Sequence, residues 1–415
     1  MNERRTSLAW LIVVVLMLGA VVGLGWANYR LAAQDIGGKD FQVQWIAVRA
    51  LVLGSSSPYS DTVSRLILRE IQPSGSGPFF LYFTSPLYAS ILILPFALLE
   101  DGLLAQALWM TFLQVLMALT LLFGLKLSDW KPPWYGFLAL CVFTFFGYHG
   151  LFAYIDGGLA ILTGFLLAAV LLAVRSGRDE LAGVLLALAM SQPQVFILAA
   201  IFIVIWAFSQ RRPLVVLWLV GTLVILSIVG VFLVPDWILQ YLRLLRRLPD
   251  YLPPGSPAAV FKQWWPGLGV QLGWVLTAIL AVALLFEWWQ ALRRDFRWFL
   301  WTVCLTLMIG QWIGIPTTAA SNYVVLTIPF MLVVAELDER WRPGGRWAGL
   351  LLLAAAFAWE WALCIRGVSG ARPDFSLGLI FPLPFILLLG LYWVRWWAIR
   401  PRKLMIEELR SSEAF

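Results

Sequence analysis

Long apolar segments with almost no charge recur along the whole chain, and they constrain its fold more than any other feature. They are Leu8–Ala27, Leu103–Leu125, Trp134–Ile155, Gly157–Val174, Leu181–Ser209, Pro213–Pro235, Gly267–Phe286, Trp298–Tyr323 and Phe375–Val394. A helix needs about 20 apolar residues to cross a bilayer, and in lipid the backbone must satisfy its own hydrogen bonds. The segments therefore predict an all-α, polytopic membrane protein.

The composition agrees with this prediction and excludes several other classes. Only 13% of the 415 residues are charged, whereas a soluble domain carries about 25%. The net charge of +7 comes from basic residues at the ends of apolar segments, which indicates membrane orientation rather than nucleic-acid binding. Three separate cysteines and one histidine provide neither a disulfide framework nor a zinc motif. We therefore expect no metal cofactor and no nucleic-acid partner.

The distribution of basic residues predicts the topology. The N-terminal MNERRTSLAW favours an uncleaved anchor with its positive end inside. The other basic clusters also fall inside if the segment Phe79–Leu99, which contains Pro86 and Pro95, is a broken or re-entrant helix. The result is one membrane domain with about twelve crossings and both termini in the cytoplasm. Its main extracytoplasmic loops are 28–102, which includes juxtamembrane helices, and 236–266. The second of these keeps one basic cluster outside: Arg243, Arg246 and Arg247.

The first loop contains two predicted helices. Gly37-Gly38 predicts a turn, and after it apolar residues recur three or four positions apart, as in an amphipathic helix: Phe41, Trp45, Val48 and Leu51 or Val52. Gly54 ends this helix, and a second one extends over 61–71. Asp40 occupies the expected N-cap position, where its carboxylate would accept a hydrogen bond from the first turn. A carboxylate at the mouth of a membrane cavity also suits a general base, so both roles stay open.

Other polar residues interrupt the apolar segments. Asp156 is a second outward carboxylate, in an outer turn predicted to follow Gly147, and it could instead cap a helix beginning at Gly157. Gln192 and Gln194 flank a proline at a bend, where amides within the membrane need a polar cavity or partner. Asn322 and Tyr323 begin a short span and could reach the same cavity.

Two further ionisable residues lie within apolar segments. Glu360 is conspicuous there, and Arg366 is a candidate structural partner for it. His149 is interpreted as a histidine whose hydrogen bonds are satisfied at a helix end.

Four segments, in this order and spacing, resemble the GT-C membrane glycosyltransferases, and more closely glycosyltransferase family 87. They are KDFQVQWIAVRALVLGSSSPY at 39–59, SPLYASILILPFALL at 85–99, RSGRDELAGVLLALAMSQPQ at 175–194 and SNYVVLTIPFMLVV at 321–334. The first resembles the family's aspartate followed by an aromatic-rich helix and Pro-Tyr, and the third resembles its basic loop and proline bend.

The resemblance implies a GT-C-like bundle that transfers a hexose, typically mannose. The donor would be a polyprenyl-phosphate-linked sugar, and the acceptor a glycan or glycolipid outside the membrane. Asp40 matches the aspartate that acts as general base. The following residues are candidates for binding the donor phosphate or the substrate: Lys39, Tyr59, Asp156, Gln192, Gln194, Lys262, Asn322 and Tyr323.

The chain departs from the family pattern at two positions. Ser85 replaces the first proline of a Pro-Pro pair, and Ser191 replaces a lysine. The second change removes a phosphate contact, for which Lys39 or Lys262 could substitute. Two other classes are compatible with the composition: a lipid-linked-sugar transporter or flippase, and a structural membrane subunit. A transporter favours internal repeats and charged or broken helices at the midplane, and the sequence shows no repeat.

Overall fold

Helices form the architecture of this protein in a computed structural model, which describes residues 2–71, 82–251, 256–313, 320–341, 344–369 and 382–400. No strand occurs in these ranges. The α-helices are α1 (Asn2–Ala32), α2 (Lys39–Gly54), α3 (Asp61–Ile71), α4 (Ser90–Ala97), α5 (Gly102–Leu127), α6 (Trp134–Phe146), α7 (Tyr148–Asp156), α8 (Ala160–Arg175), α9 (Asp179–Ala189), α10 (Pro193–Ser209), α11 (Pro213–Leu233), α12 (Trp237–Tyr251), α13 (Pro257–Trp264), α14 (Gly269–Ala291), α15 (Phe296–Ile313), α16 (Thr327–Arg340), α17 (Gly344–Ser369) and α18 (Pro382–Ala398). Two 3-10 helices, Leu87–Ala89 and Ala320–Leu326, precede α4 and α16.

Six helical segments of the described chain are long and apolar enough to cross a membrane: Val15–Ala32, Gly102–Leu127, Pro213–Leu233, Gly269–Ala291, Phe296–Ile313 and Ser321–Arg340. The pair α6 and α7, bent by 48°, would make a seventh if it counts as one span. Four further apolar helices are shorter: Leu87–Ala97, Ala160–Arg175, Pro193–Ser209 and Leu383–Ala398. The chain is therefore an all-helical integral membrane protein.

Several local predictions are confirmed. The first-loop helix ends at Gly54 and the second covers Asp61–Ile71. The chain bends before Pro193, which takes the first position of α10. Proline is common at this position because an N–H there would have no partner within the helix. The described part of 79–99 contains only a single 3-10 turn and the eight residues of α4. At 1.5 Å per residue, α4 is far too short to cross a bilayer.

Two regions expected to be turns or loops are helical. The residues after Gly147, read from the sequence as an outer turn, form α7. The second predicted loop, 236–266, contains α12 and α13. Both corrections have the same cause, because an apolar face at helical spacing continues through each region despite the glycines or arginines within it.

The residues group into two compact units. The first contains 1–116, 152–158 and 227–247. The second contains 117–151, 159–226 and 248–415. In the second unit α16 is almost wholly buried, and arginine–carboxylate pairs fix helix ends. Arg346 Nε donates to Asp338 Oδ1 at 2.9 Å and Arg395 Nη2 to Glu287 Oε2 at 2.8 Å.

Candidate active site

A glycine turn places Asp40 at the start of α2. Gly37 and Gly38 have φ of 74° and 79°, in the left-handed region that favours glycine. The Gly38 N–H donates to Ile155 O at 2.9 Å. A Cβ at Gly38 would lie 2.2 Å from Gln106 Nε2, so any other residue there would have to displace the Gln106 side chain. The turn is thus fastened to the end of α7 and to α5.

The end of α7 is fixed by a second close contact. Gly157 follows the helix with φ of 74°, and its carbonyl accepts a hydrogen bond from Trp109 Nε1 at 2.7 Å. The Trp109 ring stacks on Phe41, with 5.8 Å between centroids. A Cβ at Gly157 would lie 2.7 Å from Phe41 Cβ. Gly157 therefore permits the close packing of α2 against the end of α7.

This packing brings Asp40 and Asp156 together. A Cβ at the next residue, Gly158, would lie 3.1 Å from Asp40 Oδ2, so the carboxylate lies against bare backbone. The Asp40 side chain keeps access to solvent, although it is set deep among protein atoms. It has no hydrogen-bond or ion-pair partner among the described residues. Burial, and then the negative charge of Asp156, raise the pKa of Asp40 to about 6.

Both capping interpretations of these aspartates are wrong. α2 begins at Lys39, its N-cap is Gly38, and no side chain caps it. Asp40 is therefore two positions too late to serve as the cap. Asp156 is the last residue of α7, and α8 begins only at Ala160 with Leu159 as N-cap. The two carboxylates contribute no cap to the helices that sequence spacing assigned to them.

Lys39 and Tyr59 complete the predicted set in this unit. Lys39 is exposed and its positive charge acts on Asp156, so a cation adjoins the carboxylate pair. Tyr59 belongs to an aromatic cluster instead. Its hydroxyl donates to Ser85 O at 2.8 Å, and its ring lies 5.9 Å from that of Tyr241. Burial raises the pKa of Tyr59, so the phenol stays protonated.

The remaining predicted site residues lie in the second unit. Gln192 Oε1 accepts a hydrogen bond from Thr163 Oγ1 of α8 at 3.0 Å. Asn322 and Tyr323 are buried in the 3-10 helix 320–326, which packs on α8 where Val325 contacts Gly164. Gln192 and this 3-10 helix thus meet neighbouring residues of α8.

Two other predicted residues have no such contact. Gln194 is half-buried, in the first turn of α10. Lys262 is exposed on α13. Within the described ranges, no three His, Cys, Asp or Glu side chains group closely enough to hold a metal ion.

A buried histidine–glutamate pair in the second unit was not predicted. His149 Nδ1 lies 2.8 and 2.9 Å from the two carboxylate oxygens of Glu360, and both side chains are about 95% buried. The interpretation of His149 as a satisfied histidine is confirmed. The side chain of Arg366, the partner proposed for Glu360, lies outside the described residues. The rule that an ionisable residue in an apolar segment needs a partner could have paired His149 with Glu360.

Replacing Gly157 by alanine is expected to destabilise the site. The variant combines left-handed strain of about 1 kcal/mol with a collision against Phe41, and thermal unfolding in detergent measures the sum. Gly177→Ala is the matched control, since Gly177 has φ of 70° but open space around its Cβ. We expect a lower unfolding midpoint for Gly157→Ala than for Gly177→Ala. Equal midpoints would contradict the close packing of α2 on α7.

Comparison with family models, curated proteins and solved structures finds no match for this chain. What the structure itself defines is an all-helical integral membrane protein with a paired-carboxylate site at the start of α2.

Proposed function

We propose that this protein is a GT-C-type membrane glycosyltransferase. It transfers a hexose, mannose by the resemblance of its sequence to family 87, from a polyprenyl-phosphate-sugar to a glycan or glycolipid. The observation that carries the proposal is Asp40 itself. Among the described residues its carboxylate has no hydrogen-bond or ion-pair partner, and the residue is exposed. Burial of the carboxylate and then the charge of Asp156 raise its pKa to about 6. A general base works best when its pKa lies near the working pH.

The reaction is a single displacement at the anomeric carbon. Asp40 accepts the proton of the acceptor hydroxyl as that oxygen forms its bond to the anomeric carbon. The bond from this carbon to the phosphate oxygen breaks, and its electron pair leaves with the polyprenyl phosphate. The leaving group gains negative charge in the transition state, and a positioned cation stabilises it there.

Lys39 is suited to this second role. It adjoins Asp40 in sequence, it is exposed, and its charge already acts on Asp156. A lysine ammonium binds phosphate as a point charge. These features support the proposal that Lys39 takes the phosphate-binding role of the family's lysine, a position occupied by Ser191 in this chain. The Tyr59 hydroxyl already donates a hydrogen bond to Ser85 O. Tyr59 would therefore shape the site through its packing in the aromatic cluster.

The proposed topology keeps about twelve crossings, with both termini cytoplasmic and Asp40 outside. The six long apolar helices and the four shorter ones supply candidates for most of these crossings. Pairs such as Arg175 with Asp129, at 2.7 Å, lie at helix ends on the side assigned to the cytoplasm. This orientation agrees with the positive-inside rule.

Purified protein in proteoliposomes tests the proposal directly. Radiolabelled polyprenyl-phosphate mannose is supplied with octyl mannoside as acceptor, and the labelled product is quantified. Time-dependent transfer is the expected result. Movement of the lipid-linked sugar across the vesicle membrane without any transfer would support the transporter instead.

The pH dependence of transfer should report the carboxylate pair. Asp40 must be deprotonated to act as a base, so the rate is low below pH 6 and rises as pH passes through about 6. Asp156→Asn removes the negative charge that raises the pKa of Asp40, so the acidic limb should move to lower pH. Glu70→Gln, on the exposed end of α3, is a charge-matched control that should leave the profile in place. If the acidic limb of the pH profile stays in place in Asp156→Asn, the charge of Asp156 does not act on Asp40, and the pairing of the two carboxylates is contradicted.

A further inference from the structure

Helix α12 presents three different surfaces along its length. At 100° per residue, Trp237, Tyr241 and Leu244 share one side. Ile238 and Leu242 share the next side, and the third carries the three arginines of the helix, Arg243, Arg246 and Arg247. A helix with one packed, one apolar and one basic side differs from the two-sided helix of a soluble core.

The first side packs on the protein. Trp237 and Tyr241 are buried with Leu51, Leu87 and Val234 in one hydrophobic cluster. The Gln240 amide contributes a polar contact beside it, since Ser57 Oγ donates to Gln240 Oε1 at 2.5 Å. These contacts fix the rotation of α12, so the orientation of its other two sides is set by the fold.

The other two sides are exposed. Ile238 and Leu242 are 44% and 49% exposed, which leaves an apolar strip without protein cover. Leu239, which is 56% exposed, continues this strip at its border with the arginine side. The three arginines are exposed as well, and none forms a hydrogen bond or ion pair with a described residue. Asp236, the acidic residue just before the helix, accepts a hydrogen bond from Gln240 Nε2 at 2.7 Å. The side chain of Asp250, in the last turn, lies outside the described residues.

The position of α12 along the chain identifies what covers these sides. α11, the most apolar of the candidate spans, ends at Leu233, and only three residues separate it from Trp237. The Trp237 indole donates to Ser227 O at 3.3 Å and lies against Gly230, so α12 folds back on the last turns of α11. A helix attached this closely to the end of a spanning helix lies at the membrane surface.

We infer that α12 is an interfacial helix that binds the headgroups of anionic phospholipids. Ile238, Leu239 and Leu242 enter the boundary of the acyl chains, and the three arginines pair with headgroup phosphates. Apolar burial together with attraction between cationic side chains and anionic lipids is the basis of such binding. Headgroup binding accounts for three arginines in a segment that the proposed topology places outside. It is independent of the proposed catalysis.

Quenching of a probe on the helix tests this inference. Leu239→Cys, labelled with bimane in a Cys141→Ala, Cys364→Ala background, is reconstituted in phosphatidylcholine vesicles; Cys304 is fully buried. The vesicles carry doxyl-labelled phosphatidylglycerol or doxyl-labelled phosphatidylcholine at equal mole fraction. We expect doxyl-labelled phosphatidylglycerol to quench the bimane fluorescence at least roughly twofold more strongly than doxyl-labelled phosphatidylcholine. This preference should fall as salt is added.

Three variants separate the basic side from general effects of charge. R243Q/R246Q/R247Q should abolish the preference for phosphatidylglycerol, and R243K/R246K/R247K should keep it. R178Q/R211Q/R293Q removes the same charge from exposed arginines on other connections and should also keep it. Equal quenching by the two lipids in the parent protein would overturn the inference about headgroups. Absence of quenching by either lipid would remove α12 from the membrane surface altogether.

Discussion

Asp40→Asn is expected to reduce sugar transfer about a thousandfold, within the usual range for loss of a general base. Asparagine keeps the shape of the side chain but cannot accept the acceptor's proton. The first turn of α2 should be unaffected, because Asp40 makes no capping hydrogen bond. The measurement is the initial rate of transfer from radiolabelled polyprenyl-phosphate mannose at saturating donor.

Stability of the same variant distinguishes a catalytic role from a structural one. The pKa of Asp40 in the folded protein, about 6, lies above the ordinary 3.8. The folded state therefore binds the Asp40 proton more tightly than the unfolded state does. Its contribution to the free energy of unfolding is complete below pH 3.8 and is lost as the pH rises through 6. At neutral pH the charged carboxylate is unfavourable in its site. Asp40→Asn should thus unfold at the same or a higher temperature than the parent at neutral pH, with a gap that narrows on acidification.

A matched aspartate provides the control. Asp61 also lies in the first turn of an N-terminal helix, α3, and is exposed. Asp61→Asn is expected to retain transfer within a factor of about two, as surface substitutions usually have small effects. Full activity in Asp40→Asn, with Asp61→Asn behaving alike, would remove Asp40 from the reaction and with it the main support for the glycosyltransferase proposal.

Local sequence patterns predicted the neighbourhood of Asp40 well. Gly37-Gly38, the apolar spacing after Asp40 and the glycine at 54 act within a few residues of each other. They yielded α2 and α3 with nearly correct ends. The error at the N-cap was two residues, and it is enough to exclude Asp40 as the cap of α2. Helix ends are the least determined part of a sequence prediction, so an interpretation based on one terminal position is fragile.

Contacts between distant residues could not be predicted in the same way. The sequence singled out Asp156 separately, but nothing in it indicated that Gly157 and Trp109 would bring Asp156 beside Asp40. That juxtaposition depends on a stacked ring, a glycine without Cβ and one indole hydrogen bond. None of these contacts is unusual by itself. Together they bring the two carboxylates close only when α2, α5 and α7 are packed against one another.

The arginine-containing segment after α11 shows a different kind of omission. Its basic residues were treated as part of a loop, although tryptophan, tyrosine and leucine recur at helical spacing between them. Helical periodicity was therefore present in the sequence. The arginines mask this periodicity, because a basic cluster by itself indicates membrane orientation and not secondary structure.

Glu360→Ala is expected to lower the free energy of unfolding by about 1–3 kcal/mol, the range for leaving a buried hydrogen-bonding group without its partner. The substitution leaves His149 buried without the carboxylate that binds its Nδ1 at 2.8 Å, and His149→Ala leaves the carboxylate unpaired instead. Denaturant or thermal unfolding in detergent gives the change. Asp129→Asn is the comparison, since its pair with Arg175 is 33–46% exposed and should contribute only about 0–1 kcal/mol.

The double variant H149L/E360L shows what the pair does. Apolar residues of similar volume often replace a buried ion pair without loss, so it should be much more stable than either single variant. The coupling between the two sites then appears directly in the double-mutant cycle. The pair also touches the bend between α6 and α7, where a Cβ at Gly147 would lie 3.3 Å from Glu360 Oε2. If the double variant is stable, the pair orients this bend rather than holding the fold together. If it is as unstable as the single variants, the apolar surroundings of His149 and Glu360 cannot close around leucine, and the ionic contact itself stabilises the second unit.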